Sequence, residues 1–371
     1  MRKAGGLAIM LWVARVEAQD VLPGLEGLAL PELPVWGRSI DIRPSVGYKD
    51  NLLLSDLNRE ASYYLSTGAD LAVWRLPVDE HYFQLFASGD YTYYPEGEEV
   101  QDESFAFVSG QYMRDLNDDW KVAGLLQYVF VDQVLDVSAT EPVFEAQLVQ
   151  SHTLIAKPSL KGYFQPKTWV EVELAASGSD YRSPLDDYLE AGPRLELGQD
   201  YGHRSSVSVA YRYLERWYDT RVRLGPQGQY LGGSLRFMQQ EVEGHWRHYF
   251  DPDRRWQGEV GLGYQRNEDN GGGFYNYDRV QASLQLRWQS QPWTLRGSAR
   301  LYYYDFNSQP VSATDPSIRE KTTWTLRLRG ERKLGEQWGV FAEYEFEQSV
   351  SNRETDEYSV NKVGAGVDWE F

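Results

Sequence analysis

A strict alternation of apolar and polar side chains is the feature of this 371-residue chain that most constrains its fold. In residues 277–289 the even positions from Val280 to Trp288 are apolar, and the odd positions from Arg279 to Arg287 are polar. Such alternation means that one face of an extended strand meets an apolar medium and the other does not. The pattern recurs from about residue 39 to the end, and 26 Tyr, 13 Trp and 33 Gly residues agree with it. The sequence therefore predicts an all-β protein.

The connections between the alternating stretches distinguish a membrane barrel from a soluble sandwich, whose strands also alternate. Along the chain, tight connections alternate with longer polar stretches. The tight ones are 117–119, 165–168, 251–254, 290–292 and 334–337, and the longer ones include 95–103, 181–188, 267–276, 306–319 and 350–357. Short turns at one end and long loops at the other are the layout of an outer-membrane barrel. We therefore predict a single transmembrane antiparallel up-and-down β-barrel with short periplasmic turns and longer extracellular loops.

The same pattern predicts how many strands the barrel has. We count sixteen strands, with fourteen as the alternative, and an even number places both chain termini on the periplasmic side. The predicted strands are 39–48, 62–75, 81–94, 104–115, 120–133, 144–163, 169–180, 189–200, 205–218, 230–250, 255–266, 277–289, 293–305, 320–333, 338–349 and 358–371.

Tryptophan marks one end of successive strands. The strand after a tight turn repeatedly opens with Trp, and a second aromatic residue often follows on the same face, as Tyr303 follows Trp293. Eight to ten residues at about 3.3 Å each, tilted by about 40°, span roughly 20–25 Å, the height of an outer-membrane apolar band. The predicted membrane-interface aromatics are Trp120, Trp169, Trp256, Trp293, Trp338 and Trp369.

The N-terminal residues have the pattern of an export signal. Arg2 and Lys3 precede an apolar stretch, 5–14, and small residues near Ala18, which is typical of a secretory signal and too short to span a membrane. Residues 19–38 contain three prolines and no clean period. We predict a signal peptide at 1–18, a periplasmic linker at 19–38, and a barrel at 39–371 that reaches the outer membrane through the periplasm.

The last residues of the chain form the most regular strand. The final hexapeptide places Gly366, two residues, Trp369, one residue and then Phe371 at the chain end. On these residues the chain resembles Gram-negative outer-membrane β-barrel proteins, specifically porin-like barrels, some of which are found beside exopolysaccharide genes. The resemblance implies that Gly366, Trp369 and Phe371 are the signal read by the barrel-assembly machinery during insertion. It also implies that outer-membrane lipid and lipopolysaccharide surround the protein.

Charged residues alternate on the strands that would line the lumen. Sixteen strands leave an aqueous lumen rather than a filled core. Opposed charges across it would select solutes by charge, whereas pairing between neighbouring strands would neutralise them within the wall. Both interpretations stay open. The lumen-lining charged candidates are Arg279, Arg287, Arg296, Arg300, Arg327, Arg329, Glu259, Glu343, Glu345 and Glu347.

Charge and residue types exclude several functional classes. A net charge of −18 argues against a nucleic-acid partner, because phosphate binding needs an excess of clustered Lys and Arg. The absence of Cys excludes disulfides and thiolate chemistry. Ser151 and His152 are adjacent, so on a strand their side chains point to opposite faces and form no dyad. We predict no enzymatic activity, no cofactor and no metal site.

Three functions fit these predictions. The leading hypothesis is a porin-like channel for passive diffusion of small hydrophilic solutes. The second is a conduit for exopolysaccharide export, in which the lumen guides a glycan chain. The third is a closed barrel that serves as a structural or adhesion scaffold through its loops, and a lumen filled by side chains would favour it.

Overall fold

The computed structural model describes residues 35–139, 146–182, 184–202, 204–312 and 314–371. These ranges form sixteen strands and a short 3₁₀ helix, Glu354–Asp356. The strands are β1 (Trp36–Lys49), β2 (Ser62–Val78), β3 (His81–Tyr93), β4 (Asp102–Asp115), β5 (Trp120–Asp136), β6 (Ala146–Gln165), β7 (Thr168–Tyr181), β8 (Tyr188–Tyr201), β9 (Ser205–Leu224), β10 (Tyr230–Tyr249), β11 (Trp256–Asp269), β12 (Tyr277–Ser290), β13 (Trp293–Pro310), β14 (Ile318–Lys333), β15 (Trp338–Ser351) and β16 (Tyr358–Glu370). The described part of the chain contains no helix that is both long and apolar enough to cross a bilayer.

Pairing between consecutive strands closes the sheet into a barrel. Each strand pairs antiparallel with the next one in sequence, and β16 returns to pair with β1. At this seam Asp41 lies opposite Glu370, and Lys49 lies opposite Lys362. Closure removes both free edges of the sheet. The prediction of a sixteen-strand antiparallel up-and-down barrel is confirmed.

Many of the observed strands extend beyond the predicted bounds, and β9 and β13 extend furthest. β1 begins at Trp36, inside the predicted linker, while β9 and β13 continue past residues 218 and 305 to Leu224 and Pro310. The alternation fades in these extensions, but a neighbouring strand still supplies hydrogen-bond partners, as Tyr230 does for Leu224 across a register shift. The predicted signal peptide and the linker up to residue 34 lie outside the described residues.

The chain ends and the short turns share one end of the barrel. The backbone N–H of Phe371 donates to the carbonyl of Ile40 (2.9 Å), and that of Leu76, close to the β2–β3 turn, donates to Val35 (2.8 Å). In an outer-membrane barrel the end with short turns faces the periplasm, so we call it the periplasmic end and the opposite one the extracellular end.

Candidate functional site

The outer surface of the barrel is apolar, with aromatic side chains at its periplasmic end. Outward leucines in the middle of the strands, such as Leu126 and Leu262, are more than half exposed in the isolated chain. Among the predicted interface aromatics, Trp120, Trp256, Trp293 and Trp338 are between 39% and 48% exposed. Trp369 stacks on Trp338 with ring centroids 4.9 Å apart. A continuous apolar surface of this kind requires a non-aqueous surrounding.

The prediction that Trp169 lies at the membrane interface is wrong. Its side chain is 6% exposed, and its indole Nε1 donates to Asp200 Oδ1 (3.4 Å). The Lys161 ammonium lies 3.4 Å from the centre of the ring. The reason is the two-residue period of a strand: β7 turns Val172 and Leu174 outward, so odd-numbered Trp169 points into the lumen.

The charged candidates lie on the inner face of the barrel. On β12, Val280, Leu284 and Leu286 are exposed on the outside, so Arg279 and Arg287 face the lumen. The same alternation places the other eight on the inner faces of β11, β13, β14 and β15: Glu259, Arg296, Arg300, Arg327, Arg329, Glu343, Glu345 and Glu347.

Outer surface and lumen together decide what kind of protein this is. The barrel has no sheet edge, its outward face is apolar, and its inward face is charged. Only helices and closed barrels satisfy all backbone hydrogen bonds inside a bilayer, and closed barrels of this layout are found in outer membranes. The chain is an outer-membrane β-barrel.

Lumen charges on β13–β16 pair with neighbours in the barrel wall. Arg327 Nε donates to Glu345 Oε1 (2.9 Å), and Arg296 Nη1 donates to Glu331 Oε1 (2.9 Å). Arg329 makes three such contacts, to Glu331 (2.7 Å), to Glu343 (3.2 Å) and, two strands away, to Asp368 (3.3 Å). These ion pairs agree with pairing within the wall rather than with an unpaired basic ladder.

A second set of ion pairs follows β9–β12. Glu241 accepts from Arg212, from Arg279 Nη2 (3.4 Å) and from Gln281 Nε2 (3.0 Å). Arg247 Nε donates to Glu259 Oε1 (2.6 Å). Charges of both signs are therefore balanced locally on this side of the barrel too.

A cavity of about 750 Å³, here called the vestibule, occupies the periplasmic half of the lumen along the contiguous strands β13–β16 and β1–β4. Pro292 and Gln337 of the periplasmic turns line it. Its lining mixes charges of both signs, with the arginines of β13 and β14 and carboxylates that include Asp70. Asp70 accepts from Arg43 Nη2 (3.0 Å) and from Ser88 Oγ (2.6 Å). The vestibule is thus a polar space lined by charges of both signs.

Apolar side chains are buried at the extracellular end of the barrel. Two apolar clusters of buried side chains occupy it, here called the extracellular layer. The first contains Leu52, Leu54, Tyr64, Tyr94, Val100, Val134, Tyr358 and Val360, and the second contains Tyr218, Leu224, Leu235, Phe237, Phe274 and Tyr275. Between the first cluster and the vestibule a pocket of about 50 Å³ remains, lined by Lys49 and Glu103, which pair at 3.4 Å.

Four charged residues at the extracellular end were missed by sequence reasoning. Arg319 pairs with Asp356 and Lys321 pairs with Asp136, and the side chains of Arg319 and Asp356 are completely buried. Arg319 and Lys321 share the odd-numbered face of β14 with Arg327, so the alternation could have extended the ladder to them. Nothing local in the sequence marks Asp136 as their partner, because it lies on β5.

Ser151 and His152 point to opposite faces of β6. Ser151 is buried, whereas His152 lies on the outer surface, where its Nδ1 is 2.8 Å from the Tyr128 hydroxyl. His203 is outside the described residues. Among the described residues, no three His, Cys, Asp or Glu side chains are placed to hold a metal ion.

Comparisons with known proteins find similarity only at the level of structure. No family model and no curated protein matches the chain. OccAB1 of Acinetobacter baumannii is 9% identical over 91% of this chain and 97% of its own, with a TM-score of 0.49. A BenF-like porin from Pseudomonas fluorescens Pf-5 is 8% identical over 91% and 100% (TM-score 0.47), and OprD from Pseudomonas aeruginosa is 9% identical over 90% and 94% (TM-score 0.45). TM-scores below 0.5 do not establish a shared fold, so the fold assignment rests on the strand pairing.

Proposed function

We propose that this barrel is a porin-like channel for passive diffusion of small hydrophilic solutes. The observation that carries the proposal is the vestibule, a polar cavity of about 750 Å³ that reaches the periplasmic turns. A barrel that acts only as a scaffold does not require a polar cavity of this size inside it. The channel works without turnover, because solutes cross down their own gradient.

The ion pairs along the wall indicate how such a channel treats its solutes. Arg296, Arg327 and Arg329 each have a carboxylate within 3.3 Å, so a passing anion has to compete with a partner already in place. Paired charges keep the lumen hydrated but hold no single solute tightly, which suits conduction since a conducted solute must also leave. We expect neutral and zwitterionic solutes to pass readily.

The extracellular layer favours a second candidate, the closed scaffold. Its apolar side chains are buried at the extracellular end of the barrel, where a wide, permanently open pore would hold water. Under this alternative the barrel conducts nothing and its loops carry the function. The export conduit stays a prediction without a favouring contact among the described residues, and adjacent glycosyltransferase and polymerase genes would support it.

Liposome swelling separates the channel from the scaffold. Liposomes that contain the folded protein should swell in isotonic solutions of small sugars and amino acids, and more slowly as the solute becomes larger. Empty liposomes and liposomes with heat-denatured protein are the controls. If folded, heat-modifiable protein causes no swelling with any solute, a channel that is open at rest is wrong and the scaffold is favoured over it.

A further inference from the structure

The end of β5 touches the opposite wall of the barrel. β5 and β14 are separated by seven strand steps around the barrel in one direction and nine in the other. At about 4.8 Å per step, seven steps cover roughly 30 Å along the wall. Yet Arg319 Nη1 on β14 donates to the carbonyl oxygen of Ser138, two residues after β5, at 2.8 Å. One arginine side chain cannot span a circular lumen of that size, so the end of β5 and the start of β14 lie closer together than a circular barrel would place them.

Several hydrogen bonds hold this crossing contact. Lys321 Nζ forms an ion pair with Asp136 and donates to Ser138 Oγ at 2.6 Å. Tyr358 on β16 donates its hydroxyl to Asp136 Oδ2 at 3.3 Å. Arg319 also donates from Nε to Asp356 Oδ2 at 2.6 Å. The crossing contact thus joins β5, β14, β16 and the β15–β16 loop.

The charges in this contact are cut off from water. The side chains of Arg319 and Asp356 are 0% exposed, that of Lys321 is 2% exposed and that of Asp136 is 13% exposed. A buried charge is tolerated only when a partner and hydrogen bonds replace its hydration. Removal of one partner leaves the other charge buried and unpaired. Water that enters the contact would hydrate this charge, and its entry would separate the end of β5 from β14.

The crossing contact adjoins the extracellular layer. Val134 on β5 and Tyr358 on β16 belong to the apolar cluster that also contains Leu52 and Leu54 of the β1–β2 loop. Leu54 is a non-glycine residue with φ of 51°, an unfavourable backbone conformation that its surroundings must maintain. The packing above the vestibule and the ion pairs across the lumen therefore support each other.

We propose that the ion pairs Lys321–Asp136 and Arg319–Asp356, with Ser138 between them, form a latch that holds the extracellular half of the lumen shut. Passage through the channel then requires the latch to open, and its strength sets how much of the time the barrel conducts. This inference rests on the proposed channel function. In this proposal, residues at the extracellular end control permeation, and the arginines of the vestibule do not.

Single-channel recording in planar bilayers tests the latch through a charge swap. Lys321→Asp and Asp136→Lys each place two like charges next to each other. Because two buried like charges repel, the latch should open, and the time-averaged conductance should rise about threefold or more. The double variant Lys321→Asp/Asp136→Lys restores an opposite pair and should return conductance toward that of the parent. Arg255→Asp is the matched control, because Arg255 pairs with Asp253 (3.0 Å) in an exposed periplasmic turn away from the latch, so its conductance should stay within about twofold of the parent.

Each outcome of this experiment decides something. If the parent conducts and the folded single variants conduct equally, the latch is overturned and the channel function stands. A silent parent with conducting single variants supports both. If parent and variants are all silent although heat-modifiable migration shows that they are folded, the channel function is overturned and the latch with it. Should a charge reversal prevent folding, Lys321→Met and Asp136→Asn apply the same test with a smaller change.

Discussion

Replacement of Gly47 by valine should lower the yield of folded, heat-modifiable barrel about tenfold, because overpacking a site without free space commonly costs about 1–3 kcal/mol. Gly47 lies on β1 opposite Gly364 of β16, at the seam where the barrel closes. A Cβ atom at this position would lie 2.1 Å from the carbonyl oxygen of Val363 and 2.4 Å from the ring of Tyr64. The carbonyl belongs to the paired strand, so it cannot move aside without breaking the seam.

Gly124→Val is the matched control for this variant. Gly124 lies on β5, and no other atom would come within 4 Å of a Cβ placed there. Both variants add the same side chain to a strand glycine, so intrinsic strand preference cancels between them. Equal yields of folded protein from the two variants, measured by the shift on unheated gels, would contradict the close approach at the β1–β16 seam.

Deletion of Phe371 should lower the amount of heat-modifiable barrel in the outer membrane severalfold. Two contacts depend on this residue: its backbone N–H donates to Ile40 across the seam (2.9 Å), and its ring lies 4.1 Å from that of Trp369. We also propose that the terminal aromatic ring is read by the barrel-assembly machinery. The loss should therefore appear during insertion in cells.

Two substitutions separate the roles of the backbone and the ring. Phe371→Ala keeps the N–H but removes the ring, and Phe371→Tyr keeps both. If recognition of the ring matters, Phe371→Ala should accumulate like the deletion and Phe371→Tyr like the parent. Trp293→Ala removes an exposed aromatic residue away from the seam and is the control for a general loss of interface anchoring. Normal assembly of the deletion variant would sink the assembly role.

Local periodicity made most of the fold predictable. β12 was predicted at 277–289 and is observed as Tyr277–Ser290, because each of its side chains meets either lipid or lumen. Where the alternation of apolar and polar residues weakens, the predicted strand ends before the observed one. This happens in β9, whose last six residues pair with the irregular start of β10. Trp169 follows a tight turn as Trp293 does, but the alternation along β7 places it on the inner face of the barrel.

The lumen was only partly predictable for a related reason. The face of Arg329 follows from its own strand, but its contact with Asp368 depends on the register of β14, β15 and β16 together. The contact between Arg319 and Ser138 depends on the curvature of the whole barrel, since the two lie on opposite walls. A one-dimensional period contains no information about such a distance.

We propose that the lumen is open to the periplasm and shut toward the outside, and thiol labelling measures this directly. The chain contains no Cys, so Ser45→Cys places a single thiol in the vestibule, and Leu57→Cys places one in the exposed β1–β2 loop, where Leu57 is 64% exposed. With a bulky, membrane-impermeant sulfonated maleimide, the loop thiol should react equally in intact and in permeabilised cells. The vestibule thiol should react about tenfold faster in permeabilised cells than in intact cells. A tenfold ratio of rates corresponds to a difference of about 1.4 kcal/mol between reaching the thiol from outside and reaching it from the periplasm. Equal rates for the vestibule thiol in intact and permeabilised cells would contradict the account.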